Sequence, residues 1–300
     1  MLYRGQEPVE HAAAAVREAR AVGMRLAYVT NNASRSPQEV AAHLSELGIA
    51  SVADDVVTSG QAAARRAAAD VPAGSAVLVL GTPALADLVQ AAGLRPVRTL
   101  AQAGAAGVAA VVQGLAPQTN MADLCEAARA LYAGALWIVG NTDPTLPSPH
   151  GMLPGNGAFV EVLRSVTGRE PSVAGKPDPA LHIESVQRVS AVRPLVVGDR
   201  LDTDVLGAVR GGADSLLVLT GVTDLAALAG APAGMRPTYV SGDLRGLGEP
   251  HPPVVVDGDV ARCRAALARL VGGRVVAEGG GEDAVRAEVS LAWALADRDG

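Results

Sequence analysis

Three aspartates stand within six residues in the stretch Leu195-Val196-Val197-Gly198-Asp199-Arg200-Leu201-Asp202-Thr203-Asp204. The apolar run 195–197 predicts a buried strand, and Gly198 opens a turn that leaves Asp199 at the strand's carboxyl end. Open α/β sheets bind their ligands at that end. Carboxylates this close repel one another unless a cation stands among them, so Asp199, Asp202 and Asp204 suggest a hard-metal site for Mg²⁺. The same residues also read as a solvated acidic loop that caps a helix starting near Thr203.

Two further segments carry chemistry. A predicted strand over 24–29 stops at Thr30-Asn31-Asn32-Ala33-Ser34, just before a helix expected over 37–47. Thr30 can donate to a phosphate oxygen, and nearby backbone N–H groups can add to it. Ser34 or Ser36 capping the helix opened by Pro37 is the simpler reading of this polar run, but capping leaves Thr30 and Asn31 unexplained. In Ala174-Gly175-Lys176-Pro177-Asp178-Pro179 the prolines stiffen the turn and hold Lys176 in place as a point charge for a phosphoryl group. Loop lysines are common, yet this is the chain's single lysine. His150, alone in a Pro/Gly-rich segment over 141–157, is weak evidence of a substrate contact.

The elements that must position these residues alternate. A helix is expected over 9–21 and a strand over 56–58. A second series follows, with strands over 76–80, 109–113 and 136–140 and helices over 83–92 and 121–132. That is a βαβ pattern of its own, so 60–168 reads as an inserted domain. After the acidic stretch come strands over 215–219 and 238–240. The last residues suggest a strand over 254–256, a helix over 261–271, a strand over 274–277 and a helix over 282–296, none with catalytic spacing.

The 300 residues are 49% hydrophobic but 2% aromatic, so the core must be built from Ala, Val and Leu with helices packed close on sheets. A formal charge of −6 argues against nucleic acid or an anionic membrane as partner. Cys125 and Cys263 offer neither metal-ligand spacing nor a disulfide framework; both read as small apolar residues in helices, which points to a reducing, cytoplasmic location. No run is long enough for a membrane span, and no signal pattern opens the chain.

Thr30-Asn31-Asn32, Gly175-Lys176-Pro177 and Gly198-Asp199 with Asp204, in that order, resemble the haloacid dehalogenase (HAD) superfamily of phosphatases. They are most similar to its branch with a large α/β cap, the 4-nitrophenylphosphatase, phosphoglycolate phosphatase and NagD-like enzymes. The likeness covers about 2–246 and includes Asn141, Asp143, Pro147, Gly151, Pro154-Gly155 and Gly157. It implies an α/β fold: a Rossmann-like core with a parallel sheet over 1–59 and 169–250, the cap over 60–168, and a small α/β extension over 251–300. It also implies roles: Thr30 and Lys176 catalytic; Thr30, Asn31, Asn141, Asp143 and Lys176 substrate-binding; Asp199 and Asp204 holding Mg²⁺. Asp202 lies where the family varies and is expected to face solvent.

One part of the pattern departs from the family. Its first motif, Asp-x-Asp-Gly, supplies the nucleophile and the general acid, and family members commonly run from it into a segment like Leu2-Tyr3-Arg4-Gly5. Met1 stands where that motif would end, and Asp257-Gly258-Asp259 has the wrong order to replace it. Without the motif no aspartyl-phosphate can form. Without its strand, the Thr30 and Asp199 strands would be separated by about 9–10 Å, two strand spacings. The expectation is a start upstream of Met1, with these 300 residues inactive by themselves. Thr30, Lys176, Asp199 and Asp204 are still expected to converge, with Asp199 turning to the Lys176 ammonium.

The resemblance implies Mg²⁺-dependent hydrolysis of a small phosphate monoester such as phosphoglycolate, glycerol phosphate or a sugar phosphate, with 141–157 closing over it and a possible homodimer through the cap. The alternative is a non-catalytic pseudoenzyme that binds a phosphate ligand or a protein partner. An unrelated nucleotide binder is disfavoured, because no Gly-x-Gly-x-x-Gly opens a helix after an early strand.

Overall fold

A computed structural model describes residues 1–4, 7–148 and 151–299. His150 lies outside the described residues. The chain divides into two compact units, 1–25 with 192–300, and 26–191.

The second unit is built on a five-stranded, wholly parallel sheet in the order Ser172–Val173, Leu136–Val139, Ala110–Gln113, Ala76–Leu80, Arg95–Val97. Side chains alternate across a strand, so each strand feeds two layers. Val77, Val79, Ala110, Val112 and Ile138 pack on one face against Ala63, Ala64 and Ala67 of the helix Ser59–Asp70. Ala76, Leu78, Leu80, Val111, Trp137 and Val139 pack on the other, against the helices Met121–Tyr132 and Asn156–Thr167. Thr58 starts the first of these helices by accepting from the Gln61 backbone N–H while the Gln61 side chain accepts from the Thr58 N–H.

The strands Tyr28–Thr30 and Val56–Thr58 pair in parallel with Thr30 opposite Thr58. The strand expected over 24–29 is shorter than its apolar run, because no ladder partner extends along 24–27 among the described residues. Val29, Val57, Ala174 and Leu181 join the same apolar cluster as the Ser59–Asp70 helix. The expected cap boundaries near 60 and 168 therefore lie inside this unit.

The first unit contains a three-stranded parallel sheet with Asp214–Val218 between Leu195–Gly198 and Tyr239–Ser241. Leu216 and Val218 face Ala12 and Ala15 of the helix Ala12–Ala21; Leu217 faces the other way, onto Val205, Leu228, Val240 and Val289. Trp293 sits here as a core anchor, its indole N–H donating to the Leu228 carbonyl at 2.9 Å.

The carboxyl-terminal part corrects the sequence reading. Residues 261–271 are not a helix: Val255–Asp257, Val260–Cys263, Ala266–Val271 and Arg274–Glu278 form an antiparallel sheet of four strands covered by the helix Gly281–Asp299. Cys263 is thus a buried strand residue, whereas Cys125 is exposed on its helix, and both are free thiols. Alanine, leucine and arginine suggested a helix, but two-residue turns decide the matter. Gly272 and Gly273, at φ +56° and +78°, join Val271 to Arg274 in the left-handed geometry that hairpin turns require.

No helix among the described residues is long and apolar enough to cross a membrane. Gly273→Val places a β-branched residue in the left-handed region and is expected to cost about 1–2 kcal/mol. Urea denaturation measures it, and an unchanged midpoint would mean that the turn is not built this way.

Candidate active site

The residues expected to act fall in two clusters, one in each unit. Thr30, Asn31, Asn141, Asp143 and Lys176 come together in the second unit, where Asn31 is the hub. Its Oδ1 accepts the Lys176 backbone N–H at 2.7 Å, and its Nδ2 donates to the Lys176 carbonyl at 3.1 Å and to Asp143 Oδ2 at 3.5 Å. Its own carbonyl accepts from Ser59 Oγ at 2.6 Å and from Asn141 Nδ2 at 2.7 Å. The Asn31 side-chain amide, expected to touch phosphate, is engaged with the Lys176 peptide and Asp143.

Thr30 ends its strand, and its Oγ1 accepts the Asn32 N–H at 3.1 Å, which leaves the hydroxyl hydrogen to donate elsewhere. The Lys176 ammonium donates to the Val29 carbonyl at 3.4 Å, so the cation stands at the end of the Thr30 strand. Ser36, with Glu39, forms the capping box of the helix Pro37–Glu46 and takes the capping role left open above.

Glycines allow the approach of these backbones. A Cβ on Gly175 would overlap the Gly140 carbonyl, and one on Gly157 would overlap the Thr142 carbonyl. Gly157 N–H donates to the Asp143 carbonyl at 2.8 Å, and Asp143 N–H to Asn141 Oδ1 at 3.1 Å. Beyond this knot the expected loop is a hairpin, Thr145–Ser148 against Gly151–Pro154, with Leu146, Met152 and Leu153 exposed. Two buried amides that the sequence reading passed over, Gln113 and Asn156, back Asn141 from below. A polar residue closing an otherwise apolar strand was the available signal for Gln113.

Asp199 and Asp204 form the other cluster. Asp204 is buried, and its Oδ2 accepts the backbone N–H groups of both Asp199 and Arg200 at 3.2 Å. Asp199 Oδ2 accepts the Val222 N–H at 3.0 Å, and its Oδ1 lies 3.4 Å from the Met1 backbone nitrogen, a neighbour the sequence reading did not name. Gly198 and Gly221 leave room for these two carboxylates, since a Cβ on either would overlap them. The turn continues as one turn of π-helix, Leu201–Val205, a geometry frequent at functional sites.

The three-carboxylate cluster suggested by spacing is not formed. Asp202 turns outward and receives Arg200 Nε at 3.0 Å and Nη2 at 2.7 Å. Hydrogen bonds from that guanidinium hold its carboxyl below the usual range. Among the described residues no three His, Cys, Asp or Glu side chains are grouped to hold a metal.

The chain does contain one Asp-x-Asp-Gly string, Asp297-Arg298-Asp299-Gly300, which the sequence reading overlooked. Asp297 lies on the helix Gly281–Asp299, exposed and paired with Arg236 at 2.6 Å. It is not at a strand end, where the first motif has to act.

Two family models of haloacid dehalogenase-like hydrolases match the chain, one over residues 1–95 and a HAD-hydrolase-like model over 173–247. A D-glycerol 3-phosphate phosphatase of Mycobacterium tuberculosis is 50% identical over 246 residues, 82% of this chain and 68% of that protein. The chain belongs to the HAD-like hydrolases. An acid sugar phosphatase of Staphylococcus saprophyticus is 34% identical over 81% of this chain and 91% of its own length. The crystal structure of glycerol phosphate phosphatase from M. tuberculosis in complex with magnesium matches with a TM-score of 0.84 at 43% identity, covering 99% of this chain and 88% of that one. A 4-nitrophenylphosphatase from Thermotoga maritima matches with a TM-score of 0.74 at 28% identity, covering 82% and 92%. The resemblance, the α/β fold and the phosphatase class expected from the motifs are borne out, and Mg²⁺ is the metal of this family.

Asp204→Ala strips two backbone N–H groups of their acceptor and is expected to cost about 2–3 kcal/mol, whereas Asp202→Ala loses only a surface pair, worth less than about 1 kcal/mol. Chemical denaturation of the two variants compares them. Equal losses would mean that Asp204 does not order the turn.

Proposed function

We propose that this HAD-like phosphatase acts on a small polyol phosphate, with glycerol phosphate as the first candidate. The observation that carries this reading is the Lys176 backbone bracketed by Asn31, with its ammonium donating to the Val29 carbonyl at the end of the Thr30 strand. The identity to a D-glycerol 3-phosphate phosphatase supports the substrate. Thr30 donates its hydroxyl hydrogen to a phosphoryl oxygen, and Lys176 neutralises charge that builds there. Asn141 and Asp143, at the root of the hairpin, orient the alcohol part, while Asn31 holds Lys176.

The donor set fits Mg²⁺, which is usually held by one or two carboxylates with water and substrate oxygens. Asp199 would hold the ion, and Asp204 fixes the turn that presents it. The bound ion would supply charge stabilisation for the phosphoryl oxygens.

The core over 1–59 and 169–250, the cap over 60–168 and the extension over 251–300 remain our functional division. Unpaired Cys125 and Cys263 support a cytoplasmic location. Exposed Tyr132, Val162 and Val166 offer an apolar face for a homodimer through the cap.

Among the described residues no Asp-x-Asp-Gly segment stands at a strand end to supply the nucleophile. The test compares the 300-residue chain with one extended by an upstream Asp-x-Asp-Gly segment, reading phosphate release from glycerol 3-phosphate with Mg²⁺. The extended chain is expected to turn over, and Lys176→Ala to lower its kcat/KM by about 10²–10³. The 300 residues alone should stay at background. Vigorous hydrolysis by them would refute this assignment of the nucleophile, and an inactive extended chain that still binds phosphate would favour the pseudoenzyme.

A further inference from the structure

A line of side-chain amides runs through the second unit and ends on Lys176. Trp137 Nε1 donates to Gln113 Oε1 at 3.0 Å, and Gln113 Nε2 donates to Asn156 Oδ1 at 3.4 Å. Asn156 Nδ2 donates to the Asn141 carbonyl at 2.6 Å, and Asn141 Nδ2 to the Asn31 carbonyl at 2.7 Å. Asn31 then brackets the Lys176 peptide from both sides. Gln113 and Asn156 are 1% and 2% exposed, shielded from bulk solvent.

We propose that Gln113 and Asn156 are positioning residues for the phosphate site, setting the place of Lys176 through Asn141 and Asn31. The inference rests on the reading of Lys176 as a phosphate-binding cation. Three physical points carry it. First, a buried amide is costly unless each of its groups is paired, and the Trp137 indole takes up only the oxygen of Gln113. The Gln113 N–H₂ is left to Asn156, which packing around Trp137 does not account for.

Second, the line has a fixed polarity. The Trp137 indole can only donate, so Gln113 must turn its oxygen there and its N–H₂ toward Asn156. Asn156 must then accept with Oδ1, which leaves its N–H₂ for the Asn141 carbonyl. One orientation of each amide satisfies the whole line, and linked hydrogen bonds of this kind favour a single geometry. Third, the line ends on the peptide of the residue that carries the cation, where small displacements of a charge weaken its hold on a ligand.

The chain's single lysine makes the test direct. Labelling with [¹⁵N]lysine gives one backbone amide resonance, that of Lys176, in the full 300-residue chain. Gln113→Met keeps most of the side-chain volume and cuts both hydrogen bonds; Asn156→Asp sets a carboxylate oxygen against the Asn141 carbonyl. In each, the Lys176 amide is expected to shift and to exchange faster with solvent. Orthophosphate, titrated by NMR, should bind about tenfold more weakly. The Trp293 indole signal, in the other unit, should stay in place.

A purely structural role would lower the melting temperature and leave the Lys176 resonance and phosphate affinity unchanged, which overturns the proposal. Should Asn156→Asp not fold, Gln113→Met decides alone. A wild-type chain that fails to bind orthophosphate overturns the phosphate reading itself. That failure is recognisable because it needs no variant.

Discussion

The amide of Asn31 closes a ring of two hydrogen bonds with the peptide of Lys176, 145 residues away. An Asn side chain that pairs with a distant peptide in this way fixes both distance and orientation, as one strand does for its neighbour. The approach is so close that Gly175 has no room for a Cβ between Asn31 Oδ1 and the Gly140 carbonyl. The glycine before the lysine is therefore a condition of the contact, as much as the asparagine is. Asp143, pressed against the same amide, ties the root of the hairpin to this point.

The composition makes such contacts possible. With a core drawn from Ala, Val and Leu, the Ser59–Asp70 helix presents alanines to the sheet and sits close to it. Ser59 at its first turn can then reach the Asn31 carbonyl at 2.6 Å. A bulkier helix face would hold that hydroxyl away. Ala33 plays a similar part, since it lies where a Cβ on Gly114 or Gly140 would stand, at the carboxyl ends of two parallel strands. The end of the sheet that usually receives a ligand here receives the segment that follows Thr30.

Much of this was legible in the sequence. Strand ends in Thr-Asn-Asn and Gly-Asp, a lysine between glycine and proline, and βαβ alternation pointed to an α/β fold and to Thr30, Asn31, Lys176 and Asp199, whereas Asn141 and Asp143 came only with the family resemblance. What stayed hidden depended on partners far along the chain. Nothing local says that Asn31 spends its amide on Lys176, or that Asp204 spends its carboxylate on the N–H groups of residues 199 and 200. The carboxyl-terminal sheet was misread for the opposite reason, a local bias. Alanine and leucine favour helix, and the paired glycines at 272–273 outweighed that preference only through the hairpin they permit.

The two clusters solve their electrostatic problem in the same way, with backbone rather than with solvent. Three aspartates close in sequence would repel if they pointed together, and the fold separates them. Asp202 goes to a guanidinium at the surface, Asp204 to two N–H groups inside, and Asp199 to the Val222 N–H. Asp199 is thereby the one whose second oxygen remains directed outward, toward Met1. In the other cluster, the Asn31 amide takes up the N–H and the carbonyl of Lys176, and the ammonium reaches back to the Val29 carbonyl. In each case much of the surrounding backbone is tied down by a neighbouring side chain, Asp204 in one cluster and Asn31 in the other. Such an arrangement fixes the backbone that carries a carboxylate and an ammonium, and so fixes where those charges stand.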